Sequence, residues 1–139
     1  MWSKSYSKKV KSVKASQLWK IWSDINQWHT WQKDVDFARL DGNFIPGNFF
    51  ILKPKGGPKV RIELLSVSEN KEFTDLTRFP LARMYGAHQF IEVNGELEIK
   101  TTISIEGPLA FLWRKLVAED VANSLPAQTE SLIEKARNG

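Results

Sequence analysis

The Asn94-Gly95 dipeptide constrains the fold of this chain more than any other feature. It lies between two apolar-patterned runs, and Asn-Gly readily supplies the two positive φ angles of a tight type I′ hairpin turn. A two-residue turn fixes the register. With Val93 opposite Glu96, Phe90 falls opposite Ile99, His88 opposite Thr101, Gly86 opposite Ile103 and Met84 opposite Ile105. Leu97, Ile99, Thr101, Ile103 and Ile105 alternate with Glu98, Lys100, Thr102 and Ser104, so one face of this hairpin is dry. His88 shares the parity of that face and is expected to point inward beside Thr101.

A dry sheet face needs a cover, and the following residues supply one. Glu106-Gly107-Pro108 breaks the strand and suits a first helical turn, and a helix is predicted from there to about Arg137. Val117, Val121, Leu125, Leu132 and Ala136 form one stripe at helical spacing, widened at its start by Leu109, Leu112, Trp113 and Leu116. Lys115, Glu119, Glu130, Glu134 and Arg137 take the other side. Pro126 lacks an N–H and crowds the preceding turn, so the helix is expected to bend near Ala122.

Upstream, Tyr6–Val13 reads as a first strand. Ser16 is placed as the N-cap of a short helix carrying Leu18, Ile21, Trp22 and Ile25 on one face, interrupted by Asp24 and Asn26. A second small helical turn carries Trp28 and Trp31. Trp19, Trp22, Trp28 and Trp31 either plug the core at the open end of a sheet or line a ligand cavity, and the two roles can fall to different rings.

Antiparallel strands follow at Val35–Leu40, Asn48–Lys53, Val60–Val67 and Glu72–Arg78. A four-residue Lys55–Pro58 loop would pair Ile51 with Ile62 and Phe49 with Leu64 on the inner face. The inner set of the next strand is open, because one residue more or less in the preceding loop exchanges Phe73, Asp75 and Thr77 for Thr74, Leu76 and Arg78.

At 139 residues and 42% hydrophobic content, residues 1–139 suit a single domain. The absence of cysteine removes disulfides, thiolate chemistry and cysteine-rich metal sites. With only His29 and His88 as imidazoles, a transition-metal site lacks its usual ligands, and no metal or other cofactor is expected. Phosphate-loop, dinucleotide and nucleophile-elbow patterns do not occur. No apolar run approaches membrane-spanning length and the N-terminus lacks the apolar core of a signal peptide, so the expected location is cytoplasmic.

The net charge of +4 is unevenly distributed. The first twenty residues hold six of the 20 basic residues and none of the 16 acidic ones, which leaves the remainder at −2. Lysines along a first strand discourage edge-to-edge pairing, and the alternative is peripheral contact with an anionic membrane. No nucleic-acid reading motif accompanies them, so nucleic acid is not an expected partner.

The element order, strand, two short helices, about six strands in meander and a long terminal helix, resembles the helix-grip, START-like (SRPBCC) superfamily. That superfamily includes the birch-pollen allergen type and the polyketide cyclase/dehydrase type, and the likeness spans nearly the whole chain. It is carried by Leu18-Trp19, Asp24 with Trp28-x-x-Trp31, Pro46-Gly47, Lys53-Pro54-Lys55-Gly56-Gly57 and Gly107-Pro108-Leu109. Leu125-Pro126-Ala127 followed by Leu132 matches the cyclase-like branch.

The resemblance implies an α+β helix-grip fold: a curved antiparallel sheet of about seven strands around the terminal helix, enclosing a cavity for a hydrophobic small molecule or lipid. Phe37, Phe49, Ile51, Ile62, Leu64, Phe90, Ile99 and Ile103 would supply its apolar wall and His88 and Thr101 its polar atoms. Trp22, Trp31, Val117, Val121 and Leu125 would complete the lining. The same residues could instead fill the interior solidly.

Three functions follow from the resemblance: a carrier or sensor of an apolar ligand, a polyketide cyclase/dehydrase-type enzyme with His88 as general acid/base, and a co-chaperone-like partner module. The last would use the outer sheet face around Tyr85, Ala87, Gln89 and Ile91. Asp120 is a weaker catalytic candidate than His88. Composition does not fix the oligomeric state.

Overall fold

A computed structural model describes residues 1–138. Seven strands form one antiparallel sheet: β1 (Trp2–Val10), β2 (Val35–Arg39), β3 (Phe49–Pro54), β4 (Val60–Ser68), β5 (Glu72–Phe79), β6 (Ala82–Val93) and β7 (Glu96–Glu106). Their spatial order is β1-β7-β6-β5-β4-β3-β2, so β2 to β7 run as a meander and β1 closes onto the last strand. The β6–β7 hairpin has the register expected from its turn. Asn94 and Gly95 take φ of 51° and 82°, and His88 lies opposite Thr101 and Phe90 opposite Ile99.

Helix α1 (Ala15–Ser23) and a 3₁₀ helix (Ile25–Thr30) connect β1 to β2. The N-cap is Lys14, not Ser16: the Gln17 side-chain oxygen accepts the Lys14 backbone N–H at 2.8 Å and anchors the first turn two residues earlier. Asn26 positions the 3₁₀ helix. Its amide exchanges two hydrogen bonds with the backbone of Leu40, donating to the carbonyl at 3.2 Å and accepting from the N–H at 3.0 Å.

Strand β1 begins at Trp2 and ends at Val10, four residues before the expected span at its start and three before it at its end. Ser12, with φ of 65°, turns the chain into α1. Lys4 and Lys8 share the inner parity of Tyr6 and Val10, opposite Ile103 and Ile99. At this sheet edge they reach the terminal helices: Lys4 Nζ donates to Asn123 Oδ1 at 3.0 Å, and Lys8 pairs with Glu130. Lysines at an edge strand obstruct pairing with another chain.

The register of β3 corrects the sequence expectation. Phe50 pairs with Ile62 and Phe49 with Glu63, one residue away from the expected alignment, so Phe50 and Leu52 face inward while Phe49 and Ile51 face outward. The β3–β4 connection at residues 55–59 is one residue longer than the expected four-residue turn, and a one-residue slip exchanges the faces of a strand. Arg61 stacks over the outward Phe49 ring at 3.5 Å. A bulge between Val35 and Phe37 likewise sets Val35 and Ala38 inward and leaves Phe37 partly exposed, with Lys59 Nζ 5.7 Å from its ring centroid.

The terminal helical rod consists of α2 (Ala110–Trp113), a π-helical turn (Arg114–Ala118), α3 (Glu119–Asn123) and α4 (Leu125–Asn138). Pro126 does interrupt it, at Ser124 instead of Ala122. The Ser124 N–H is shared between the carbonyls of Asp120 and Val121, both at 3.1 Å, and its hydroxyl donates to Val121 O at 2.7 Å. The π turn, closed by Glu119 N–H on Arg114 O, widens the helix locally and rotates the following residues. Ala118 and Ala122 thereby pack with Ile103 and Ile105, whereas Leu112 and Leu116, expected on the buried stripe, are 40% and 58% exposed.

The main core lies at the other end, where α1 and α4 meet the sheet. Trp19, Trp22, Trp28 and Trp31 are all buried there with Phe50, Leu64, Phe73, Phe90 and Ile99. Trp22 stacks on Phe90 at 4.6 Å between centroids and meets Phe73 edge-on at 5.0 Å. Such aromatic contacts each add about 0.5–1.5 kcal/mol beyond area burial. In the section of rod at residues 113–121, Trp113, Val117 and Val121 are only half-buried.

Candidate functional site

Between the sheet and that section of the rod lies a cavity of about 400 Å³. Trp113, Val117, Val121 and Leu125 form its helical wall, and Phe50, Leu52, Val60, Ile62, Phe73, Phe79, Met84 and Ile103 line the sheet side. Trp22 and Trp28 close it toward the core. Trp28 is held in place by its Nε1–H, which donates to Trp22 O at 3.0 Å, and by its ring, which meets Phe50 edge-on at 5.3 Å. At the opposite end Trp113 stacks on Phe79 at 4.6 Å and donates its indole N–H to Pro80 O at 2.9 Å. A larger surface hollow, about 950 Å³, lies between Lys14–Ser16 and Glu69–Glu72 and is lined mainly by charged and polar residues.

Polar groups in the cavity wall are few. His88 and Asp75 both line it, with Nε2 and Oδ2 3.0 Å apart and side chains only 13% and 16% exposed. An ionised carboxylate only accepts, so His88 Nε2–H is the donor of this pair. Phe73 stacks on the imidazole at 4.3 Å and Trp22 meets it edge-on at 4.9 Å, so the ring is held on more than one side. Thr77, buried and two residues along β5 from Asp75, adds a hydroxyl to the same wall. Gln128 and Gln32, joined by a 2.9 Å amide hydrogen bond, lie along the lining as well.

Gly86 makes the His88–Asp75 pair sterically feasible. It sits opposite Asp75 in the β5–β6 ladder, and a Cβ at this position would lie 2.8 Å from Asp75 Oδ1 and 3.1 Å from His88 Nε2. Any larger residue would compete with the pair for the same space.

The cavity brings together part of the sequence-derived set: Trp22, Ile62, His88, Ile103, Val117, Val121 and Leu125. Trp31, Leu64, Phe90, Ile99 and Thr101 are buried but pack into the interior away from the cavity lining. Phe37, Phe49 and Ile51 are displaced by the bulge and the β3 register. Their places are taken by Val35, Phe50 and Leu52. Thr101 remains opposite His88 in the ladder, but the polar partner in hydrogen-bond reach is Asp75.

Asp75, Thr77 and Phe73 belong to one of the two parity sets that the sequence left open. Their inward placement follows from the β5 register, in which Phe73 lies opposite His88. Gly86 gave the signal that was missed: a glycine inside a strand marks close approach by another group. Trp113 and Phe79 were visible as apolar residues, but their mutual stacking depends on the long-range fit of the rod to the β5–β6 turn.

No protein-family model and no curated protein matches the chain. Solved structures do. A hypothetical protein from Helicobacter pylori is 15% identical, with a TM-score of 0.77 over 97% of this chain and 88% of that one. Ara h 8.0201 is 12% identical, with a TM-score of 0.75 over 99% of this chain and all (100%) of that one. A START superfamily protein from Mycobacterium smegmatis is 12% identical, with a TM-score of 0.68 over 98% and 97% of the two chains. Together with the seven-stranded curved sheet and the terminal helical rod, these likenesses identify the fold of this chain as the START-like helix-grip fold.

Proposed function

We propose that the protein binds a hydrophobic small molecule between the sheet and the terminal rod, as a carrier or sensor. The carrying observation is the cavity of about 400 Å³ with a wall that is mainly aromatic and aliphatic. Burial of roughly 300 Å² of apolar ligand surface is worth about 7 kcal/mol before ordering costs, enough for micromolar binding without an ion pair when the site is preformed. A lipid or polyketide-like ligand, the kind the resemblance implies, suits such a wall.

Val121→Trp tests this reading by filling the space from the helix side. Titration of wild type with naphthalene, followed by calorimetry, should give micromolar to tens-of-micromolar binding that the filled variant loses by at least about tenfold, with its circular dichroism unchanged. Equal binding by both proteins would move the site elsewhere.

One observation favours a second reading, a cyclase- or dehydrase-type enzyme. Asp75 holds His88 through Nε2, an arrangement in which a carboxylate orients an imidazole that takes up or delivers a proton. Proton transfer next to a carbonyl asks little more of the protein than such a group in a dry cavity. His88→Ala separates the readings: a carrier keeps its ligand affinity within about tenfold, whereas an enzyme binds and loses turnover.

A further inference from the structure

We infer that the cavity selects uncharged or cationic ligands carrying a hydrogen-bond donor and rejects carboxylates. The inference rests on the binding reading above and concerns the chemistry of the ligand's polar end. It follows from the sign and the hydrogen-bonding capacity of the few polar groups in the wall.

The titratable side chains lining the cavity are Asp75, His88 and Asp34, and among the described residues no lysine or arginine joins them. Asp34 is exposed, which places it at the rim. Even a positively charged His88 would only balance an ionised Asp75, so at neutral pH the lining carries no net positive charge. The nearby lysines do not reverse this sign: Lys53 on β3 pairs with Asp36 at 2.8 Å, Lys59 lies over the outward Phe37 ring, and Lys55 is exposed and outside the lining.

Asp75 also asks for a donor. Its Oδ2 accepts from His88, while Oδ1 makes no hydrogen bond among the described residues. A carboxylate accepts and cannot donate, so the open oxygen is satisfied by a ligand O–H or N–H and not by another carboxylate. Two carboxylates brought together in a weakly screened site repel, and one would have to take up a proton before both could stay. Thr77, on the same strand face, donates or accepts and is compatible with either end of a hydroxyl group.

Probes sharing one ring system isolate this effect. Calorimetric titration at neutral pH would compare naphthalene, naphthylmethanol, naphthylmethylamine, naphthamide and naphthoate on the intact chain. Naphthylmethanol, naphthylmethylamine and naphthamide should each bind at least about tenfold tighter than naphthoate, and Asp75→Asn should bring naphthoate within about threefold of naphthamide. Naphthamide has nearly the shape of naphthoate without its charge, so the wild-type comparison stands even if the variant fails to fold. Naphthoate binding as tightly as naphthamide, or an undiminished gap in folded Asp75→Asn, would overturn the selectivity. If naphthalene binds while the gap is absent, only the selectivity falls. Failure of all the probes to bind would remove the binding reading and this inference with it.

Discussion

Gly86 shows how much of the site depends on one missing side chain. It lets an imidazole and a carboxylate meet at 3.0 Å inside a mainly apolar wall. Gly86→Ala has no backbone objection, since the residue is not among those with positive φ; the conflict is with Asp75 Oδ1 at 2.8 Å. Denaturant unfolding should show a loss of about 1–3 kcal/mol, the usual cost of overpacking. An unchanged unfolding midpoint would mean that the pair moves aside freely and is not held as described. His88 was legible from the sequence because parity along a hairpin with a known turn reaches it directly. Asp75 was not, because its orientation depends on a loop whose length the turn residues do not fix.

The same distinction governs the elements. The β6–β7 register could be read residue by residue, since Asn94-Gly95 sets both φ angles locally. After β3 the connection at residues 55–59 is longer and carries Gly56, Gly57 and Pro58, which permit several closures, and the face of Phe49 and Phe50 went the other way. Either register buries a phenylalanine, so hydrophobic pattern alone could not choose. In the terminal rod, the π turn left no mark in the composition. Both the Leu112-Leu116 and the Trp113-Val117-Val121 rows have helical spacing, and only the fit against the sheet assigns the second row to the cavity. Pro126 was legible as an interruption because a missing N–H is a local fact, although the turn that yields is centred on Ser124.

Across the whole molecule, the four tryptophans between Trp19 and Trp31 reconcile the two roles considered for them. All four are buried, and Trp22 and Trp28 also form part of the cavity wall, while Trp19 and Trp31 belong to the interior alone. A densely aromatic core at one end supports an incompletely filled space at the other, where the rod is interrupted and widened. The sequence contains six tryptophans, of which Trp22, Trp28 and Trp113 line the cavity and Trp2, Trp19 and Trp31 do not. The most direct measurement is therefore a naphthalene titration followed through the six indole N–H resonances by NMR. The resonances of Trp22, Trp28 and Trp113 should move in step to saturation, with those of Trp2, Trp19 and Trp31 changing much less. Saturable shifts confined to the second group, or no shift in any of the six, would contradict a ligand lying between the sheet and the rod.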